Sequence, residues 1–162
     1  MSQTNCCAPA RDGQVDPPFL EEERGHHEGV LCEIPGGNTL MGTDTPIIKL
    51  DGEAPLRKTK IKPFKMGQTP IKNSEFAKFI SQTGYVTEAE FFGWSFVFHS
   101  QVPKAVQTIQ GSQGAQWWRK VDSATWDWPT GSEGPKCDPE HPAVHLSWND
   151  AKAYCKWAGG RL

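Results

Sequence analysis

The chain has 162 residues and carries 17 Lys plus Arg against 19 Asp plus Glu, a formal charge of −2. Its length predicts one ordinary domain with a real core. The near-neutral balance, with no basic block beyond the spaced cations from Arg57 to Lys65, argues against a nucleic-acid partner. No apolar run approaches the roughly 18 residues needed to cross a membrane, and the start MSQTNCCAPARDG lacks the basic-then-apolar pattern of a secretory signal, so a cytoplasmic protein is expected.

Residues 1–30, rich in Pro, Gly, Asp, Glu and His, offer little apolar surface to bury and predict a flexible N-terminal arm. The folded part is expected over residues 31–162. Between Val30 and Met41, two short apolar segments are split by Pro35, Gly36 and Gly37, a pattern that predicts a hairpin. Residues 59–66, TKIKPFKM, contain Pro63, which limits any strand there to a short or edge position.

The clearest helix follows Pro70. Asn73 reads as its N-cap, Phe76, Phe79 and Ile80 share one face, and Gly84 supplies the stop. A second helix is predicted over SWNDAKAYCKWAGG, where Ser147 and Asp150 match a capping box and Ala151, Tyr154, Cys155 and Ala158 form its apolar face. With 16 Gly and 13 Pro, loops should dominate the rest. The stretch from Tyr85 to Pro142 holds Trp94, Trp117, Trp118, Trp126 and Trp128, rings that serve either to fix irregular backbone in a core or to line a groove. Trp117 and Trp118 are adjacent, so in extended backbone one can anchor the core while the other faces a cleft.

The candidate metal ligands do not assemble. His141 and His145 flank Pro142 in an alternating PAVHL pattern, and in extended backbone at about 3.3 Å per residue they would stand roughly 13 Å apart, too far to share an ion. His26, His27 and Glu28 read as a solvated cluster in the arm. The five cysteines, Cys6, Cys7, Cys32, Cys137 and Cys155, form no Cys-x-x-Cys pair and predict reduced thiols. Phosphate-cradling and nucleophile-elbow motifs are missing from the sequence.

Several segments together resemble formylglycine-generating enzymes, the sulfatase-modifying-factor family. They are MGTD (Met41–Asp44), DGEAP (Asp51–Pro55), NSEFAKF (Asn73–Phe79), TGYVTEAE (Thr83–Glu90), GWSFVF (Gly93–Phe98), the Trp117–Trp118 pair and HPAVHLSWNDAKAYCKWAGGRL (His141–Leu162). The resemblance implies an α+β domain of the sulfatase-modifying-factor fold, related to C-type lectin-like domains and low in regular secondary structure. It implies an oxidase that uses O2 to convert a cysteine in a Cys-x-Pro-x-Arg segment of a sulfatase to Cα-formylglycine, with copper and calcium as cofactors.

In that family the copper-holding cysteine pair lies in a C-terminal half, beyond a Pro-Thr-Glu-Ala-Glu-Trp run that would follow Arg161-Leu162. The resemblance therefore implies that this chain is a fragment, truncated at the C-terminus, without catalytic cysteines or metal ligands of its own. Trp117, Ala89 and Ser95 match positions at the family's substrate-peptide groove, whereas Trp94 departs from members with an acidic residue there. Cys155 matches a cysteine whose disulfide partner lies outside the chain, which leaves a buried free thiol. Cys7-Ala8-Pro9-Ala10-Arg11 itself resembles the target motif, so Cys7, Pro9 and Arg11 are candidates for a pseudosubstrate. The other reading is a catalytically silent peptide-binding or regulatory paralogue.

Overall fold

The computed structural model describes residues 25, 27–104, 106 and 115–162. They fall into two compact units: one formed by Gly29–Thr69, the other by Pro70–Leu162 together with the described residues up to Glu28. Helices and short antiparallel strands are both present, an α+β composition.

The first unit is a two-stranded ribbon. Leu31–Ile34 (β1) and Gly37–Met41 (β2) do not pair with each other as the predicted hairpin requires. β1 pairs with Phe64–Gly67 (β4), and β2 pairs with Arg57–Ile61 (β3). Partners run from Leu31–Gly67 through Ile34–Phe64 to Gly37–Ile61 and Met41–Arg57, so both ladders keep one register. In that register Pro35 falls opposite Pro63.

Neither proline has an N–H to donate, which accounts for the gap between the ladders. Gly36 passes so close to the other strand that a Cβ would lie 2.9 Å from the Ile61 carbonyl oxygen. A turn between two strands and a break within one strand therefore look alike in the letters Pro-Gly-Gly. The loop joining β2 to β3 is ordered by its own carboxylates. Glu53 Oε2 accepts the Ile47 and Ile48 N–H groups at 2.7 and 3.0 Å, and Asp44 Oδ1 accepts that of Leu56 at 3.2 Å.

The second unit is built on two helices. Asn73–Thr83 (α1) ends at Gly84 in the left-handed conformation, as predicted. Its N-cap is Lys72 rather than Asn73: the Lys72 N–H donates to Glu75 Oε2 at 2.9 Å, and Asn73 is turned inward, where Nδ2 donates to the Asp138 carbonyl at 2.8 Å. Trp148–Trp157 (α3) has the predicted Ser147–Asp150 box, with Ser147 Oγ accepting the Asp150 N–H at 3.1 Å and Asp150 Oδ2 the Ser147 N–H at 2.7 Å.

The buried face of α3 is Asp150, Ala153, Tyr154 and Trp157, rotated from the expected Ala151–Cys155 stripe. The large Tyr154 and Trp157 rings set the rotation, because they pack with Phe76, Phe79 and Tyr85 into one aromatic core. Phe79 lies within 5.2–5.7 Å of four rings, those of Phe76, Tyr85, Tyr154 and Trp157. Trp126 adds an edge contact to Phe76 at 5.4 Å.

Between these helices the chain forms Glu88–Phe92 (α2), Trp94–Phe98 (β5) and Trp118–Asp122 (β6). The sequence reading passes over α2, although Thr87 and Glu90 carry a capping signal. Thr87 Oγ1 accepts the Glu90 N–H, and the Thr87 N–H donates to Glu90 Oε2. β5 and β6 pair antiparallel and enclose a small second core of Val97, Val121 and Ala124. His27 is not solvated, as its place in a polar arm predicts. Its ring lies 3.7 Å from Glu75 Oε1, with both side chains mostly buried, and Glu28 pairs with Lys78 on the same helix.

Candidate functional site

The second unit contains an open cavity of about 1050 Å³. Its walls come from β5, Trp118 of β6, the residue 129–149 segment, and the first turns of all three helices through Asn73, Glu88, Trp148 and Asn149. The β5–β6 register sets Phe98 opposite Trp118, their rings 5.9 Å apart and edge to face, which gives the cavity an aromatic wall.

Ser95 and His145 are its best-defined polar pair. His145 Nε2 lies 2.8 Å from the Pro129 carbonyl oxygen, which can only accept. In the neutral imidazole, Nε2 therefore carries the proton, and Nδ1, 3.0 Å from Ser95 Oγ, accepts the serine hydroxyl. His145 holds a left-handed backbone at φ +57°, uncommon for a residue with a side chain. The extended geometry read from PAVHL thus fails at His145, while His141 stands 3.7 Å from Asp138 Oδ2.

A buried carboxylate ties together the starts of α2 and α3 behind the cavity-lining Glu88 and Ser147. Asp150, fully inaccessible, accepts the Tyr85 hydroxyl at 2.9 Å and the Glu88 N–H at 3.1 Å on Oδ1, while Oδ2 takes the Ser147 N–H. Asn149 Nδ2 donates to Glu88 Oε1 at 2.7 Å. One aspartate therefore caps its own helix and also satisfies the first N–H of α2. Burial raises the Tyr85 pKa first, and the negative charge of Asp150 raises it further.

Of the predicted groove residues, only Ser95 lines the cavity. Ala89 is fully buried in α2, and Trp117 is 49% exposed and absent from the cavity wall; its neighbour Trp118 takes that place. Trp94 packs against Phe96 at 5.0 Å, and Lys120 Nζ sits 4.6 Å from its ring centroid. Cys7, Pro9 and Arg11 lie outside the described residues.

The cavity residues that the sequence reading missed, Asn73, Glu88, Asp138, His145 and Asn149, share no spacing pattern. Only the capping signals at Thr87 and Ser147 point near them. Cys32, Cys137 and Cys155 are free thiols. Burial, then the charge of Asp127, raises the Cys137 thiol pKa, and burial raises that of Cys155. Among the described residues no group of three or more His, Cys, Asp or Glu side chains is arranged to hold a metal ion. Nor is any described helix long and apolar enough to cross a membrane.

Residues 19–162 match the family described as the sulfatase-modifying factor enzyme 1-like domain, and the chain belongs to that family. Over 135 residues it is 48% identical to the formylglycine-generating enzyme of Bos taurus, covering 82% of this chain and 36% of that protein. The formylglycine-generating enzyme of Thermomonospora curvata is 45% identical over 135 residues, 82% of this chain and 45% of its own length. The inactive C-alpha-formylglycine-generating enzyme 2 of Bos taurus is 44% identical over 135 residues, 82% and 44% of the two chains. The chain thus spans less than half the length of these relatives.

Proposed function

We propose that the chain supplies the N-terminal part of an oxidase that uses O2 to convert a sulfatase cysteine, in a Cys-x-Pro-x-Arg segment, to Cα-formylglycine. The observation that carries this reading is the 48% identity to a protein named formylglycine-generating enzyme across most of the chain. The scaffold contributes peptide positioning: Ser95 is held by His145 at the wall of an open cavity large enough for an extended segment. Trp117, half exposed beside that wall in sequence, offers a ring to a peptide crossing it. In this reading copper and calcium are held outside these 162 residues, and thiolate-bound copper supplies the oxygen chemistry. A kinship with C-type lectin-like folds and a cytoplasmic location belong to the same proposal.

The test is mass spectrometry of a Cys-x-Pro-x-Arg peptide incubated with copper-loaded protein, in the 162-residue form and in a form extended to the relatives' length. An aldehyde product from the extended form alone supports the reading. No product from the extended form overturns it.

A second reading, the silent peptide-binding paralogue, is favoured by the 44% identity to an inactive relative. It predicts peptide capture without conversion in the same experiment. Under either reading Cys7-Ala8-Pro9-Ala10-Arg11 competes for the peptide site.

A further inference from the structure

The end of the first unit where β2 gives way to β3 is a closed tip. The Thr43 N–H donates to the Glu53 carbonyl at 2.9 Å, so residues 44–52 form a loop of their own. Glu53 turns its side chain back to accept the Ile47 and Ile48 N–H groups, and Lys49–Asp51 make a short 3-10 turn stopped by Gly52 at φ +69°. With much of its backbone satisfied from within, the loop is free to present side chains outward. Ile47 is 91% exposed and Leu50 97%, and Leu40, Met41, Ile48 and Leu56 are exposed around them. One bare aliphatic is ordinary on a surface, but six apolar side chains at one hairpin end are a patch of the kind that marks an interaction site.

Positive charge surrounds the same tip. The register sets Leu40 opposite Lys58 and Met41 opposite Arg57, so each of the last two rungs couples an exposed apolar side chain to an exposed cation. Lys49 stands between Ile48 and Leu50, and Lys60 follows Lys58 on the same face of β3. Among the described residues none of these four cations is ion-paired; the pair that the unit does show is Lys65 with Glu33. Asp44 and Glu53, by contrast, commit oxygens to backbone N–H groups. Residues 29–69 hold six Lys plus Arg against four Asp plus Glu, a surplus of two positive charges in a chain that totals −2.

We propose that this tip docks the protein on an anionic lipid bilayer, with Ile47 and Leu50 entering the boundary between headgroups and acyl chains while Lys49, Arg57, Lys58 and Lys60 sit among the headgroup anions. The two parts of the patch match the two layers of such a surface, where apolar burial and attraction to anionic lipid add. Long lysine and arginine stems keep the charges at headgroup depth while the aliphatic groups go deeper. Docking of this kind lies on the bilayer and needs no spanning helix. A protein partner fits less well, because a stable interface takes about 20–30 residues on each side, whereas this patch is six apolar side chains and four cations. A second copy of this chain fits worse still, since a two-fold contact through the tip would set Arg57, Lys58 and Lys60 against their own equivalents.

The test is flotation of the 162-residue chain, and of a form extended to the relatives' length, with vesicles of phosphatidylcholine alone or mixed with phosphatidylserine at roughly 7:3. Both forms should float with the mixed vesicles, bind the neutral ones more weakly by about tenfold or more, and come off as salt rises. Ile47→Ser/Leu50→Ser should lower the affinity for mixed vesicles by about tenfold or more, and Lys58→Gln/Lys60→Gln likewise. Circular dichroism and the urea midpoint should stay in place in both, because all four side chains are exposed. No binding to the mixed vesicles overturns the proposal, whether the chain then proves monomeric or pairs through the tip. Equal binding to the two kinds of vesicle, or undiminished binding by either double variant, overturns it as well. So does binding by the 162-residue form alone, which would mean that the rest of a longer protein covers the tip. None of these outcomes depends on oxidation of a peptide, so the docking and the proposed function stand or fall separately.

Discussion

The Tyr85 hydroxyl and the Asp150 carboxylate meet at 2.9 Å inside the second unit, joining residues 65 apart in sequence. That carboxylate also accepts the first N–H of α2 and the Ser147 N–H ahead of α3. Removing it leaves three donors without their acceptor. Asp150→Ala should lower unfolding stability by about 3 kcal/mol or more, and Tyr85→Phe by about 1–2 kcal/mol. Urea denaturation followed by tryptophan fluorescence checks both. An Asp150→Ala cost no larger than that of Tyr85→Phe would mean the backbone donors find other partners.

Alkaline pH tests the same core. Burial, aided by the charge of Glu75, raises the Tyr154 pKa to about 12 from 10.0, and Tyr85 is raised as well. For a group whose folded pKa is raised, the linked stability is complete below the unfolded value and is lost as pH climbs towards the folded value. The urea midpoint should therefore hold up to about pH 10 and fall between about pH 10 and 12. Tyr85→Phe and Tyr154→Phe should each flatten that fall, and an unchanged slope in both variants would refute the assignment.

Phe79 is the best single probe of the aromatic cluster, being fully buried among four rings. Phe79→Ala should cost about 3–5 kcal/mol, and the more conservative Phe79→Leu clearly less, by the same denaturation measurement. The helix spacing that predicted Phe76 and Phe79 as core was sound because a 3.6-residue period is a local property. The Ala151–Cys155 stripe on α3 was read by the same rule and came out rotated. Several rotations of that helix offer an apolar face, and only the partners, Phe76, Phe79 and Tyr85, choose among them.

Ser95 and His145 give a prediction about shape. Ser95→Ala leaves His145 Nδ1 without the serine donor, and His145→Ala removes the bonds to both Ser95 and Pro129 while keeping the left-handed backbone. His145→Ala should cost the more, about 2 kcal/mol against about 1 kcal/mol for Ser95→Ala. His145→Gly should recover part of the loss, about 1 kcal/mol, because glycine accepts a positive φ freely. Equal stability of the Ala and Gly variants would show that the backbone at 145 relaxes.

This pair also marks where sequence reading stops. Ser95 lies on β5, Asn73 begins α1 and His145 precedes α3, so the cavity exists only once those elements have docked. Trp117 and Trp118 show the same limit at one-residue scale. Alternation predicted that the two would face opposite ways, and only the pairing of Trp118 with Phe98 decides which one reaches the cavity. Caps and stops, by contrast, were plain in the letters at Gly84, Ser147 and Asp150, because they are satisfied within a turn of the residue that signals them.

The Cys7–Arg11 segment bears on regulation. In an extended, active protein, Cys7→Ala should raise turnover of a dilute sulfatase peptide if the arm competes for the site, because a tethered competitor works at an effective concentration of about millimolar. Steady-state kinetics at low and saturating peptide separate that outcome from a change in chemistry: the apparent KM should fall with kcat unchanged. Identical KM values in the two proteins would remove the arm from the peptide site.

The facing prolines of the ribbon, Pro35 against Pro63, have a consequence for how the first unit opens. A ladder without a break frays from its ends as one zipper, whereas this one has a gap in the middle, so each half has an inner end as well as an outer one. Amide hydrogens of β1–β4 and β2–β3 should therefore exchange with solvent as two groups with separate protection, and denaturant should release one group before the other.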